Sequence, residues 1–288
     1  MSRDLYEREP ERSPDPSQAR AAEVVIRPLP EPGGRDGGHP ENRATNRDRE
    51  PFERQRLSRE EAETLREIGR FRTIAKVDLE RFHYSGDARA MNRELRSFAR
   101  RGLVKSHAVL NHGKTFPVVV LTKKGQRVLG RDPNADSKQA IYAGLTKERE
   151  ASHDSAIYRM YQAEAAAIEA RGGTIRRVVL DYELKRKVYA PLAKDRPHLK
   201  PEDYAKRQAE VAAENGLDVV NGKIPLPDLR IEYQTRDGEM AKVDLELATE
   251  HYKASQLAEK ASAGFVVYGE GGGARPEDRD FISEILSL

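Results

Sequence analysis

Two neighbouring segments with strict alternation constrain the fold of this chain more than any other feature. Apolar and charged side chains alternate over residues 229–233 and again over residues 243–247. This period of two is typical of strands with one buried and one polar face. The intervening Arg-Asp-Gly at 236–238 suits a three-residue hairpin loop with Gly238 in the left-handed position. We therefore predict an antiparallel hairpin.

This loop length also predicts the register of the hairpin. Directly opposed residues in an antiparallel pair lie on the same face, so apolar residues are expected to meet on one face and opposite charges on the other. The predicted pairs are Leu229 with Leu245, Ile231 with Val243, Glu232 with Lys242, Arg230 with Asp244, and Asp228 with Glu246.

Asp228 and Glu246 form the exception on the charged face, because this pair combines two carboxylates. Cross-strand Cβ atoms lie ~5 Å apart. Carboxylates at that separation repel unless a cation or proton lies between them, and Mg²⁺ or Mn²⁺ favours such oxygen ligands. We predict Asp228 and Glu246 as metal ligands.

A helix is predicted over residues 250–262, with Thr249 as its cap. Lys253 and Lys260 share one face of this helix, and either could present an ammonium group to a phosphate at the metal. The sequence leaves the choice between them open.

Charge is concentrated in the middle of the chain. Residues 57–131 carry 17 Lys and Arg against 8 Asp and Glu, whereas residues 132–288 carry 23 against 28. A basic segment of this kind indicates a polyanionic partner, most often nucleic acid, with a solvated basic surface as the alternative interpretation.

Composition excludes several classes of protein. The chain has no cysteine, which excludes disulfide frameworks and Cys-ligated zinc. No apolar run is long enough to cross a bilayer, so no membrane association and a cytoplasmic location are expected. Residues 1–56 are rich in proline and in mixed charge, which predicts a disordered leader.

Residues 57–131 are predicted to form a winged helix-turn-helix. Three helices are expected near 58–69, 75–82 and 87–101, followed by strands 103–110 and 115–121 around a turn at 111–114. In such folds the third helix enters the major groove of double-stranded DNA and the wing contacts the backbone. The expected DNA contacts are one arginine face of the third helix and the wing lysine: Arg89, Arg93, Arg96, Arg100 and Lys114.

Winged helices also mediate protein contacts, which is the alternative interpretation of this segment. A homodimer is a further expectation for such a domain, although no long heptad pattern supports it.

A second domain is predicted over residues 152–288 after a linker at 132–151. Its elements read helix, strand, a two-helix insert, two strands, helix, strand and a final helix at 276–287. The expected fold class is α+β and α/β, with a mixed sheet flanked by helices.

Taken in order, these motifs resemble a known family. Pro227-Asp228, the strand 243–249 and Lys260 followed by residues 264–268, placed after a winged helix, are similar to the replication-relaxation proteins of plasmids and integrative elements. Gly69-Arg70-Phe71-Arg72 is similar to the start of that family's DNA-binding region. The likeness covers residues 60–285, and implies a restriction-endonuclease-like domain of the PD-(D/E)xK type.

That resemblance implies Mg²⁺- or Mn²⁺-dependent DNA nicking or cleavage, with catalytic residues Asp228 and Glu246 and a lysine, Lys260 or Lys253. One departure matters: the usual lysine position, two residues after the glutamate, holds Ala248. The alternative is a non-catalytic replication accessory or repressor with an inactive nuclease-like domain. His153, Asp154 and Glu164 are further candidates to approach the site.

Overall fold

The computed structural model describes residues 26–28, 57–111, 113–131, 138–145, 147–248 and 252–269. Within them the chain is mixed α and β, with helices on two sheets. The elements in chain order are β1 (Ile26–Pro28), α1 (Arg59–Arg70), β2 (Ile74–Ala75), α2 (Lys76–Phe82), α3 (Ala88–Arg100), β3 (Val104–Asn111), β4 (Lys114–Leu121), α4 (Lys123–Leu129), α5 (Glu148–Ala170), β5 (Thr174–Leu180), α6 (Asp181–Asp195), α7 (Pro201–Glu214), β6 (Leu229–Gln234), β7 (Met240–Ala248), α8 (Ala254–Ser262) and β8 (Val266–Gly269).

The basic segment folds into helices α1 to α4 around a three-stranded antiparallel sheet of order β2-β4-β3. Helix α1 begins with a capping box, in which the Ser58 side chain accepts from the Glu61 amide and the Glu61 carboxylate accepts from the Ser58 amide. Strand β2, which pairs Ile74 with Val119, was not predicted, since two residues carry no periodic signal.

The second sheet has five strands in the order β1-β8-β7-β6-β5. Strands β5, β6 and β7 run antiparallel, whereas β8 runs parallel to β7. The predicted hairpin register is confirmed: Leu229 pairs with Leu245, and the following pairs continue in step up to Gln234 and Met240. Gly238 has a φ of 87°, the left-handed conformation that the loop requires.

The two faces of this sheet are covered differently. Apolar side chains of β5, β6 and β7 pack against α5 in one continuous core that also contains residues of α1, α3 and β4. Val179 on the opposite face packs with Leu184 and Val188 of α6 and with Val211 of α7. The charged face of the hairpin is therefore not fully open to solvent, since Arg230 and Asp244 are both buried.

The segment predicted as a linker makes specific contacts where the structure describes it. The Gln139 side-chain amide both donates to and accepts from the backbone of Val178, at 2.9 Å in each case, which satisfies part of the free edge of β5. The Tyr142 amide donates to the Gly69 carbonyl at 2.7 Å. Helix α5 also begins at Glu148, before the predicted domain boundary. These residues dock the basic unit onto the five-stranded unit.

Three further predictions differ from the structure or lie outside it. Residues 26–28 of the expected disordered leader form β1, because the edge of β8 supplies backbone partners in parallel register. Helix α8 begins at Ala254 with Lys253 at its N-cap position, and the predicted cap Thr249 lies outside the described residues. His112 in the predicted turn, the final helix at 276–287 and the rest of the leader lie outside the described residues.

Candidate active site

The two predicted carboxylates lie at the open end of the β6–β7 hairpin. Asp228 directly precedes β6, and the register of Leu229 with Leu245 places it opposite Glu246 on β7. The Glu246 side chain is only 2% exposed, whereas the Asp228 side chain is 18% exposed. The pair is thus set at the boundary between the covered face of the sheet and the surface.

Glu246 is bound through one of its two oxygens. Its Oε1 accepts from the Tyr252 hydroxyl at 2.5 Å and lies 2.8 Å from the Lys260 ammonium. Its Oε2 is buried and has no hydrogen-bond partner within the described part of the chain. A buried carboxylate oxygen of this kind is energetically costly unless a further partner binds it.

Asp228 is held by contacts to a single oxygen as well. Its Oδ2 accepts from the Leu247 amide at 2.9 Å and lies 3.5 Å from Nε2 of His153, which comes from α5. The other ring nitrogen of His153 lies 3.9 Å from Asp154. The long helix α5 therefore reaches the hairpin end and contributes His153 to the site.

The two carboxylates have oppositely shifted pKa values. Burial and the nearby charge of Asp228 raise the pKa of Glu246, and these outweigh the opposing effects of Lys260 and Tyr252. For Asp228 burial acts in the same direction, but His153, the Leu247 amide and Lys260 lower its pKa overall. Although burial lowers it, contacts with Asp154 and Asp228 raise the pKa of His153 to about 10.

Of the two candidate lysines, the structure brings Lys260 to the carboxylates. The Lys260 ammonium also donates to the Leu226 carbonyl at 2.8 Å, so two contacts from different segments fix its position. Lys253 is exposed and occupies the N-cap position of α8, where its backbone amide donates to the Gln256 side chain. Lys260 is therefore the lysine that lies beside the two carboxylates.

The oxygen atoms present fit a small divalent cation. Asp228 and Glu246 use Oδ2 and Oε1 for their protein contacts, and Glu246 Oε2 is buried without a partner. Mg²⁺ is commonly held by one or two carboxylates, with water and substrate phosphate completing the shell. Within the described residues there is no group of three or more His, Asp or Glu side chains that could hold a metal ion. A cation at this position would be held by the two carboxylates Asp228 and Glu246, with water and phosphate as its further ligands.

The predicted DNA contacts lie on the surface of the basic unit. Met91, Leu95 and Phe98 are buried on the opposite face of α3. Their spacing of four and three residues places them together on one side of a helix. Asp87 caps this helix by accepting from the Ala90 amide at 2.9 Å. The exposed side chains are Arg89, Arg93, Arg96, Arg100 and, at the start of β4, Lys114.

Two other candidates from the sequence lie in different surroundings. Glu164 is buried and accepts from the Tyr268 hydroxyl at 2.8 Å, which gives it a role in packing α5 onto the sheet. Asp154 contacts His153 and so acts on the site through that ring. Tyr252 was not predicted. No sequence pattern identifies it, because its contact with Glu246 depends on how the chain is positioned just before α8.

Comparison of the chain with protein families, curated proteins and solved structures returned no match. Among the described helices, none combines the length and apolar character that a membrane span requires.

Proposed function

We propose that this chain binds double-stranded DNA through α3 and hydrolyses phosphodiester bonds at Asp228, Glu246 and Lys260 with a divalent metal ion. The observation that carries the proposal is the convergence of an acid before β6, an acid on β7 and a lysine from α8 at one hairpin end. Two hard-oxygen ligands and a cation are what metal-dependent phosphodiester cleavage requires.

Each residue has a distinct proposed role. Asp228 and Glu246 hold Mg²⁺ or Mn²⁺, which supplies Lewis-acid stabilisation of the phosphate when bound. Lys260 places its ammonium beside the charge that develops on the phosphate oxygens. Water adds to phosphorus while the bond to the leaving oxygen breaks, and that oxygen takes up a proton. His153, kept protonated by its neighbours, holds Asp228 as an anion.

The topology and the basic unit support the same proposal. The order of helix, strand, two helices, two further antiparallel strands, helix and parallel strand is compatible with the nuclease-like domain that the resemblance to replication-relaxation proteins implies. The helices α1 to α3, followed by the β3–β4 hairpin, suit a winged helix, whose third helix would present its arginine face to the major groove. The proposed context is replication, relaxation or mobilisation of a plasmid or other mobile element.

Supercoiled plasmid provides the test of this proposal. Purified protein is expected to convert it to the nicked or linear form with Mg²⁺ or Mn²⁺ but not with EDTA. Asp228→Ala and Glu246→Ala are expected to abolish conversion while duplex binding, measured by fluorescence anisotropy, is retained. Wild-type protein that binds DNA yet never alters the plasmid with either metal would overturn the catalytic part of the proposal.

A second candidate is a DNA-binding replication accessory or repressor in which this domain is not catalytic. The observation that favours it is the set of contacts already made by the site: Lys260 and Tyr252 on Glu246, and His153 on Asp228. These contacts stabilise the carboxylates without a metal. The plasmid experiment separates the two candidates, because only the first predicts metal-dependent conversion.

A further inference from the structure

A basic and aromatic cleft lies at the junction between the basic unit and the five-stranded unit. Its volume is about 260 Å³. Residues 138–142 form one wall, and Arg177 of β5 with the first turns of α6 forms the other. The charged and aromatic side chains that line the cleft are Lys138, Tyr142, Arg177, Tyr182, Glu183 and Arg186.

The walls of this cleft are held in place by hydrogen bonds and ion pairs of the residues that line it. Gln139 bonds both backbone groups of Val178, which anchors one wall to the edge of β5. Glu183 is paired with Arg177 and lies 2.8 Å from Lys187, so the single acid of the cleft is neutralised by its neighbours. Lys138 and Arg186 are exposed and give the cleft a positive surface.

Tyr182 provides an open aromatic surface at this junction. Its side chain is 57% exposed although it lies in the first turn of α6. The Tyr142 ring approaches it edge-on, with centroids 6.3 Å apart, and the Arg72 guanidinium of the basic unit lies 5.8 Å from its centroid. Arg72 has a φ of 63°, a conformation uncommon for residues other than glycine. Both units thus contribute to the surroundings of this ring.

The cleft is adjacent to the candidate active site along the chain and through a backbone bond. The amide of Asp181, the residue before Tyr182, donates to the carbonyl of Asp228 at 3.1 Å. Burial lowers the pKa of Lys185, one turn further along α6, but its hydrogen bond and ion pair with Asp181, with a smaller effect of the charge of Asp228, raise that pKa overall. Tyr182 therefore follows directly after a residue whose backbone contacts Asp228.

We propose that this cleft binds an unpaired nucleotide of a single DNA strand, with the base stacked on Tyr182 and the backbone phosphate beside Lys138 and Arg186. Aromatic rings next to positive charge are the common means of holding single strands without sequence preference. This site rests on the proposed function, because its ligand is a strand opened next to the scissile bond, and it assigns single-stranded DNA as a second substrate-binding partner beside the duplex contacts of α3.

Fluorescence anisotropy with a labelled oligothymidylate, in EDTA and with the full-length protein, tests the cleft without any cleavage. Tyr182→Ala is expected to weaken single-strand binding at least about fivefold, because loss of one stacking platform typically has an effect of this size. Tyr182→Phe is expected to bind within twofold of wild type, since the ring is retained. Arg186→Ala is expected to weaken binding and to reduce its salt dependence.

Matched controls on the same helix are Tyr189→Ala, an exposed tyrosine outside the cleft, and Lys194→Ala, an exposed cation further along α6. Both are expected to leave single-strand affinity unchanged, and duplex affinity is expected to stay at the wild-type value in Tyr182→Ala. Unchanged single-strand affinity in Tyr182→Ala and Arg186→Ala would overturn the cleft, whether or not the plasmid is nicked. Conversely, loss of affinity in these variants supports the cleft even if wild-type protein does not cleave.

Discussion

At the residue scale, the two carboxylates of the site are made unlike by their surroundings. Glu246 is almost fully buried, with an ammonium and a hydroxyl on one oxygen, whereas Asp228 is held as an anion by a histidine and a backbone amide. Environments that move two pKa values apart are typical of sites where acids have different tasks. Asp228 is therefore the carboxylate of the pair whose lowered pKa keeps it ionised.

The charge of His153 gives a prediction that does not depend on catalysis. Because Asp154 and Asp228 raise its pKa to about 10, its imidazole is expected to stay protonated from pH 6 to 8.5. In Asp228→Asn one of the two anionic partners is lost, so the pKa should fall towards the ordinary value of ~6.5. Histidine ring resonances followed by NMR over this range measure both values. A wild-type midpoint near 6.5 would contradict the geometry of the His153–Asp228 contact.

Single residues of the site were predictable to different degrees from the sequence. Alternation and loop length were sufficient to place Asp228 opposite Glu246, because register follows from local geometry. The choice between Lys260 and Lys253 was not predictable, since it depends on where α8 begins and how it docks on the sheet. Tyr252 escaped prediction for the same reason.

At the element scale, α3 has one buried apolar face and one exposed face that carries arginines. Met91, Leu95 and Phe98 attach it to the core of the basic unit. The arginines are exposed and make no salt bridge within the described part of the chain. This arrangement supports a helix whose outer face meets phosphate.

Arg93→Ala combined with Arg96→Ala is expected to weaken duplex binding. Each lost phosphate contact removes about one counterion from the salt dependence, so the slope of log affinity against log salt should decrease by about 2. Fluorescence anisotropy at several salt concentrations measures both effects. The matched control is Lys194→Ala with Lys206→Ala, two exposed cations of α6 and α7. An unchanged slope in the arginine variant would exclude α3 as the DNA contact.

Long elements were predicted better than short ones. Helices α1 and α3 carry their own signals, in the Ser58–Glu61 capping box and the two-faced pattern of α3. Strands β1 and β2 have three and two residues, and each exists because a distant strand supplies its hydrogen bonds. Such pairing is not encoded in local periodicity, which explains why both strands were missed.

At the scale of the whole molecule, the basic unit and the five-stranded unit share one core. Tyr158 of α5 is fully buried, and its ring lies 4.9 Å from that of Phe71 and 6.1 Å from that of Phe82. Next to it, Arg159 Nε lies 3.6 Å from Oδ2 of Asp78, a buried carboxylate on α2. The junction therefore contains an ionisable group with little access to water.

This junction is expected to make stability depend on pH. Burial raises the pKa of Asp78 to about 6, despite the charges of Arg159 and Arg81, whereas an unfolded chain has ~3.9. Between these values the folded state keeps a proton that the unfolded state releases, so stability falls as pH rises. Asp78→Asn lacks this effect, so its free energy of unfolding relative to that of wild type should rise by about 2 kcal/mol between pH 4 and 7.

Urea unfolding followed by circular dichroism at pH 4 and pH 7 measures that difference. Other carboxylates contribute to both proteins and cancel in the comparison. Glu80→Gln provides a control on the same helix, at a position that is only half-buried. If the difference between Asp78→Asn and wild type is the same at both pH values, the carboxylate is not held in a desolvated junction.

The assignment of the third site residue is tested most directly by the rate of plasmid nicking in two lysine variants. With Mn²⁺ or Mg²⁺, Lys260→Met is expected to reduce the rate by about 10²-fold or more, because its ammonium stabilises charge at the reacting phosphate. Lys253→Met removes an equal charge from the same helix and should stay within twofold of wild type. Equal rates in the two variants, or no metal-dependent nicking by wild-type protein, would contradict the account.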